Sequence, residues 1–337
     1  MNSKLLLIKK NNRKKLLSNS IKLDKGQPKL LHITYSHSSH KRYVSNADIF
    51  FQIFTCYILG ILFEGEIIYN NSWKYSNIIT SNSYKNNSIK ELKKYDAIIK
   101  ISNFNKFSSI SYQELNKLKD QFYYQGNIKL ILENICVVHP DIIYEWYQQK
   151  IIENDIYTQK IIPKLRQLYF YDRNSEQIDA VAIHLRTGDL SKWTWDIGLN
   201  LEYYTNIINI LNSNLNVKIN IYYEGTGKKT TIHLTRVFEK ERRGFNYDWV
   251  KELGKLENVN LYEGDLDNCE QQFNELTRSK YLILSPSGFS LFSGFINKNK
   301  VFVDRLFIKE RPNIFKNIDI LPEFITYDNF KDTIKYF

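Results

Sequence analysis

From Asp179 to about Leu306 the chain alternates between two kinds of segment with little else between them. Five short runs, "DAVAIHL", "VKINIYYEG", "NVNLYEG", "KYLILSP" and "KVFVDRL", are rich in β-branched and aromatic residues. Four helix-length stretches separate them, around "LEYYTNIINILNSNL", "YDWVKELGKLE", "CEQQFNELTRS" and "SGFSLFSGFIN". Each run is apolar on successive rather than alternate residues, which is the pattern of a strand covered on both faces. Strands of that kind joined by helices form a doubly wound parallel α/β sheet.

The N-terminal half has the same character. "KLLHITYS" ends in the polar loop "HSSHKRYVSNA", a long apolar helix starts at Asp48, and "EGEIIYN", "YDAIIKIS" and "IKLILENICVVHP" read as further strands. "IIPKLRQLYFYDRNSEQ" begins helical and ends polar, as a linker does. A chain of 337 residues with 43% hydrophobic composition has material for two cores. The sequence therefore predicts an α/β protein of two Rossmann-like domains facing each other across a cleft. A mobile basic leader covers residues 1–25, a first α/β domain 26–165 and a second, Rossmann-like domain 166–337.

The net charge of +11 suits a nucleic acid, an acidic membrane or a phosphorylated small molecule, and does not choose among them. The positive residues are spread among abundant Asn, Ile and Tyr, a bias that an AT-rich genome also produces, so no nucleic-acid partner is expected from charge alone. Cys56, Cys136 and Cys269 are far apart and odd in number, which argues for a reducing compartment rather than a disulfide framework. The leucine cluster at the N-terminus is too short for a signal peptide. The apolar stretch 49–63 falls short of the roughly 20 residues that span a bilayer and reads as a core helix. A soluble, cytoplasmic protein without a transmembrane segment is expected.

In open α/β sheets, ligands bind beyond the carboxyl ends of the strands. The polar residues of the second half gather there. His184, Arg186 and Asp189 follow its first strand, Glu224 and Gly225 the second, Asp265 and Asp267 the third, and Ser285, Ser287, Gly288 and Ser290 the fourth. "SPSGFS" passes directly into a helix, so its hydroxyls and amide N–H groups form an anion site backed by the helix dipole. Arg186 adds an always-charged fork whose geometry matches a phosphate. An arginine and a helix start converging on one rim are expected to hold a diphosphate.

These stretches carry a resemblance. "IHLRTGD" is similar to the His-x-Arg-x-Gly-Asp type motif of the metal-independent GDP-fucosyltransferases, the superfamily of α-1,2-, α-1,6- and protein O-fucosyltransferases, and "SPSGFSLFSGFI" resembles their later Ser-rich motif. Both stand in the order and on the elements of a GT-B donor domain. The resemblance implies that Arg186 contacts the donor diphosphate, that His184 helps position the nucleotide, and that Ser287, Phe289 and Ser290 line the phosphate side. Thr187 stands where several branches have a second arginine, Gly288 where they have Ser or Thr, and Glu224 is the nearest equivalent of a later acidic position. The implied reaction is inverting transfer of a sugar, fucose first, from a GDP-sugar to a hydroxyl of a glycan acceptor, with no metal and no other cofactor.

Asp189, Asp196 and Glu224 are the candidates for a base toward the acceptor hydroxyl, and the sequence singles out none. His37, His40 and Arg42 leave the first strand of the first half and, with Trp195 and Asp196, are placed on the acceptor or cleft side. "GTGKKT" fails the P-loop spacing, although Gly225 remains a phosphate contact. Asp265-Leu266-Asp267 is the pattern that a metal-dependent GT-A enzyme would use for a divalent cation, and is kept as the alternative. In the preferred reading Asp265 faces the nucleoside. A second alternative is a non-enzymatic basic nucleic-acid or interaction protein.

Overall fold

A computed structural model of the protein describes residues 5–8, 30–36, 56, 59–60, 65–68, 92, 94–102, 127–133, 162–187, 199–224, 248–264, 268–304, 324–326 and 334. The chain divides into two compact units, one reaching to Asp172 and the other running from Arg173 to Phe337 with Ser45–Ala47. Each has its own α/β core with a predominantly parallel sheet.

The first sheet has five strands in the order β1-β4-β5-β2-β3, where β1 is Leu5–Ile8, β2 Leu30–Ser36, β3 Glu66–Ile67, β4 Ala97–Ser102 and β5 Asn127–Glu133. Four of them are parallel, and β1 lies antiparallel along β4. Within residues 1–25, Leu5–Ile8 are described and form β1. There, four consecutive apolar residues take up the otherwise open edge of β4. Cys56 and Leu59, within the apolar stretch 49–63, are helical and wholly buried. Burial pushes the Cys56 thiol far above its usual range. A helix α1, Ile162–Tyr169, closes this unit.

The second sheet is built from β6 (Ile178–Leu185), β7 (Lys218–Glu224), β8 (Val259–Gly264), β9 (Ser279–Ile283), β10 (Lys300–Val303) and β11 (Phe324–Thr326). All neighbours are parallel, in the order β11-β10-β9-β6-β7-β8. From its opposite edge this reads 3-2-1-4-5-6 in chain order, the order of a doubly wound nucleotide-binding sheet. The chain steps outward through β6, β7 and β8, then returns to place β9 against β6. The β6–β9 boundary is therefore the topological switch point.

The connections explain which side chains face which way. Helices α2 (Leu201–Asn214) and α3 (Asp248–Leu253) cover the face presented by Val181, Ile183, Ile219, Ile221, Ile283 and Phe302. Side chains alternate along a strand, so Ala180, Ala182 and His184 turn to the opposite face. Helices α4 (Cys269–Arg278) and α5 (Gly288–Ile296) stand on that side, bringing Phe273, Leu276, Phe292 and Phe295 into burial. Each such wholly buried apolar side chain contributes about 1.5–3 kcal/mol over leaving it in water. No helix among the described residues is long and apolar enough to cross a membrane.

Candidate functional site

Because all six strands of the second sheet are parallel, their carboxyl ends share one edge. At the switch point two matching turns emerge on it. Beyond β6, the Thr187 N–H donates to the Leu185 carbonyl at 3.0 Å, making a three-residue turn centred on Arg186. Beyond β9, the Ser287 N–H donates to the Ser285 carbonyl at 2.6 Å, making the same turn around Pro286. Turns of this size are common at strand ends, and the fixed φ of proline suits the central position. Arg186 is half-buried and Thr187 is buried.

The second turn delivers Ser287 to the start of α5. It is the N-cap, extended at φ −142° and ψ 148°, and its Oγ accepts the Ser290 N–H at 3.0 Å. Ser290 Oγ reaches back to accept the Ser285 N–H at 2.9 Å, and Ser293 Oγ donates to the Ser290 carbonyl at 2.7 Å. Three serines thus fix the loop and the first turn of the helix with hydrogen bonds rather than with bulk. An α-helix begins with amide N–H groups directed out of its end, and here that end stands at the switch point.

His184 joins the two turns. Its Nδ1 lies 2.7 Å from Ser285 Oγ, bridging β6 and β9 between residues 101 apart in the chain. The Phe289 ring packs against the imidazole at 5.5 Å and meets Phe273 edge-on at 5.1 Å. Burial first, and the neighbouring Arg186 guanidinium second, lower the His184 pKa from 6.5 to about 3. The imidazole is therefore neutral at physiological pH, and between the two residues the positive charge resides on Arg186.

The structure thus brings together His184, Arg186, Ser285, Ser287, Gly288, Phe289 and Ser290. Ile183 and Ile283 pair across β6 and β9, so both turns begin within two residues of one rung of the ladder. Glu224 closes β7, level with Gly264 of β8 on the same edge. At Gly264 the backbone runs close: a Cβ would lie 3.1 Å from the Tyr223 carbonyl oxygen and 2.6 Å from Gln272 Oε1. Asp189, Gly225, Asp265, Asp267, His37, His40, Arg42, Trp195 and Asp196 lie outside the described residues.

Two residues that the sequence reading passed over also stand at this edge. Asp304, just past β10, is 4% exposed, and the Tyr203 hydroxyl from the first turn of α2 donates to its Oδ2. An acid following "VFV" reads as an ordinary strand end. Only the strand order shows that it follows the strand beside β9 on the same edge.

No family model matches the sequence, and no curated protein matches it. Among solved structures that match is FUT1 of Arabidopsis thaliana, a point mutant in complex with GDP, at 7% identity and a TM-score of 0.39, covering 83% of this chain and 71% of that one.

Proposed function

We propose that the chain is a metal-independent glycosyltransferase of GT-B type. In this reading it transfers L-fucose from GDP-fucose, with inversion, to a hydroxyl of a glycan. The second unit binds the donor and the first receives the acceptor. One observation carries the reading: at the β6–β9 switch point an arginine turn, a neutral histidine and a serine-laced helix start converge on one edge of a parallel sheet. The choice of sugar and base rests on the motif resemblance of "IHLRTGD" and "SPSGFS".

The chemistry follows from charge. As the glycosidic bond to the diphosphate lengthens, negative charge grows on the leaving oxygens. Groups already aimed at that charge lower the barrier without reorganising. Arg186 supplies the formal positive charge and the α5 start supplies N–H donors, so the pair does what a divalent cation does elsewhere. His184, being neutral, orients the nucleotide by hydrogen bonding. One of Asp189, Asp196 or Glu224 takes the acceptor proton.

GDP is expected to raise the unfolding midpoint equally with and without EDTA. In Arg186→Ala, transfer from GDP-fucose is expected to fall about 10²–10³-fold with the fold retained. A shift abolished by the chelator would instead select the metal-dependent reading through Asp265 and Asp267. Salt-sensitive binding of RNA or DNA with no response to GDP would overturn the enzyme.

A further inference from the structure

His184 meets Ser285 through the nitrogen that decides its tautomer. Nδ1 lies 2.7 Å from Ser285 Oγ. The Phe289 ring packs on the imidazole, and the pairing of His184 with Tyr222 on β7 fixes its place on the strand. A neutral imidazole carries one proton, so one ring nitrogen donates and the other accepts. Two arrangements satisfy the observed distance. In one, Nδ1–H donates to Ser285 Oγ and Nε2 is left as an acceptor. In the other, the Ser285 O–H donates to Nδ1 and the ring proton sits on Nε2.

They differ in which donor is left over. In the first it is the hydroxyl proton of Ser285, a residue only 1% exposed. Among the described residues Ser285 Oγ has no hydrogen-bond partner besides His184. The neighbouring serine oxygens are engaged by amides, Ser290 Oγ by the Ser285 N–H and Ser287 Oγ by the Ser290 N–H. That proton would be buried with no acceptor, and a buried donor without a partner forfeits its hydration. In the second arrangement the donor left over is Nε2–H. His184 makes no other hydrogen bond among the described residues, and its Nε2 is not one of the buried atoms that lack a partner, so Nε2 reaches the surface. Water or a ligand can meet it there.

We infer that the Ser285 hydroxyl donates to Nδ1 and so fixes His184 as an Nε2–H donor, which makes Ser285 a positioning residue rather than a contact to the ligand. The hydrogen bond at one ring nitrogen sets the protonation of the other. Burial and the Arg186 charge keep the ring neutral, so the donor brings direction without a second positive charge. An acceptor oxygen of the ligand is its match, and this part rests on the diphosphate reading of the site.

Two-bond proton–nitrogen correlation spectra of the full chain, labelled with nitrogen-15 at histidine, read the tautomer directly. The His184 signals are assigned by their loss in His184→Asn. In the wild type Nδ1 is expected at the resonance of an unprotonated nitrogen and Nε2 at that of a protonated one. In Ser285→Ala the two resonances are expected to move toward each other as the tautomers mix. Affinity for inorganic pyrophosphate and for GDP, read by calorimetry, is expected to fall about fivefold in the same variant. Ser285→Cys has only a weak S–H donor, is expected to shift both readouts in the same direction, and carries the test if Ser285→Ala fails to fold. A protonated Nδ1 in the wild type, or His184 resonances that ignore the loss of the hydroxyl, overturns the inference whatever the protein binds. Wild-type affinity in a variant whose tautomers mix overturns it as well. If the wild type binds neither pyrophosphate nor GDP while the resonances respond as expected, the diphosphate reading falls and Ser285 stands as the residue that sets the His184 tautomer.

Discussion

At His184 the sheet holds a titratable ring where its charged form is costly. The strand carries it into burial and the next turn sets Arg186 beside it, so both influences act in one direction. The sign of the consequence is fixed. The folded pKa of about 3 lies below the unfolded 6.5, so between those values the unfolded chain binds the extra proton. The contribution of His184 is intact above pH 6.5 and is lost as pH falls toward 3, at a limiting slope of about 1.4 kcal/mol per pH unit. Against His184→Asn, which keeps a polar group near Ser285 but cannot titrate, the wild type is expected to lose on the order of 2 kcal/mol more on going from pH 7 to pH 5. Urea denaturation of both proteins at the two pH values reads this directly. Parallel losses would mean that the imidazole is charged in the folded state.

At the scale of elements, the start of α5 is structural, and in the proposed function it also binds the ligand, with the same atoms. Ser287 Oγ accepts an amide proton of the first turn, so Ser287→Ala is expected to cost about 1 kcal/mol of stability, the ordinary loss for an N-cap serine. The same change loosens the turn that aims the helix end, and GDP affinity is expected to drop, though by less than in Arg186→Ala. Denaturant titration and calorimetry check the two halves separately, and unchanged affinity would detach this helix from the ligand. The helix and its cap were legible in "SPSGFS" because serine and glycine before an apolar run are local signals. So were β6, β9 and β10, whose apolar runs are continuous, and β7, where Ile219 and Ile221 lead into two tyrosines. Strands β1 and β11 were not, since four and three residues at a sheet edge carry too little pattern to separate from loop. Asp304 and Tyr203 were illegible for another reason. They lie 101 residues apart, and their meeting depends on strand order and register, which no local window contains.

For the whole molecule, what matters is that the chain holds two cores. The sequence pointed to two domains, and the contacts divide it after Asp172, beyond α1, so that the helix belongs entirely to the first unit. The switch-point residues and both turns fall within Arg173–Phe337. A ligand gripped only there stabilises only the unit that grips it, because binding adds free energy to the folded state that contains the site and none to a unit that does not. Differential scanning calorimetry is therefore expected to resolve two transitions, as is usual where domains have separate cores. GDP at about 100 times its dissociation constant adds about 2.7 kcal/mol to one of them. For a unit of this size that corresponds to a rise of about 5–10 °C in its midpoint, with the other transition unmoved. Two transitions that climb together would mean that the nucleotide also binds the first unit, and a single transition would mean that the two cores unfold as one cooperative unit.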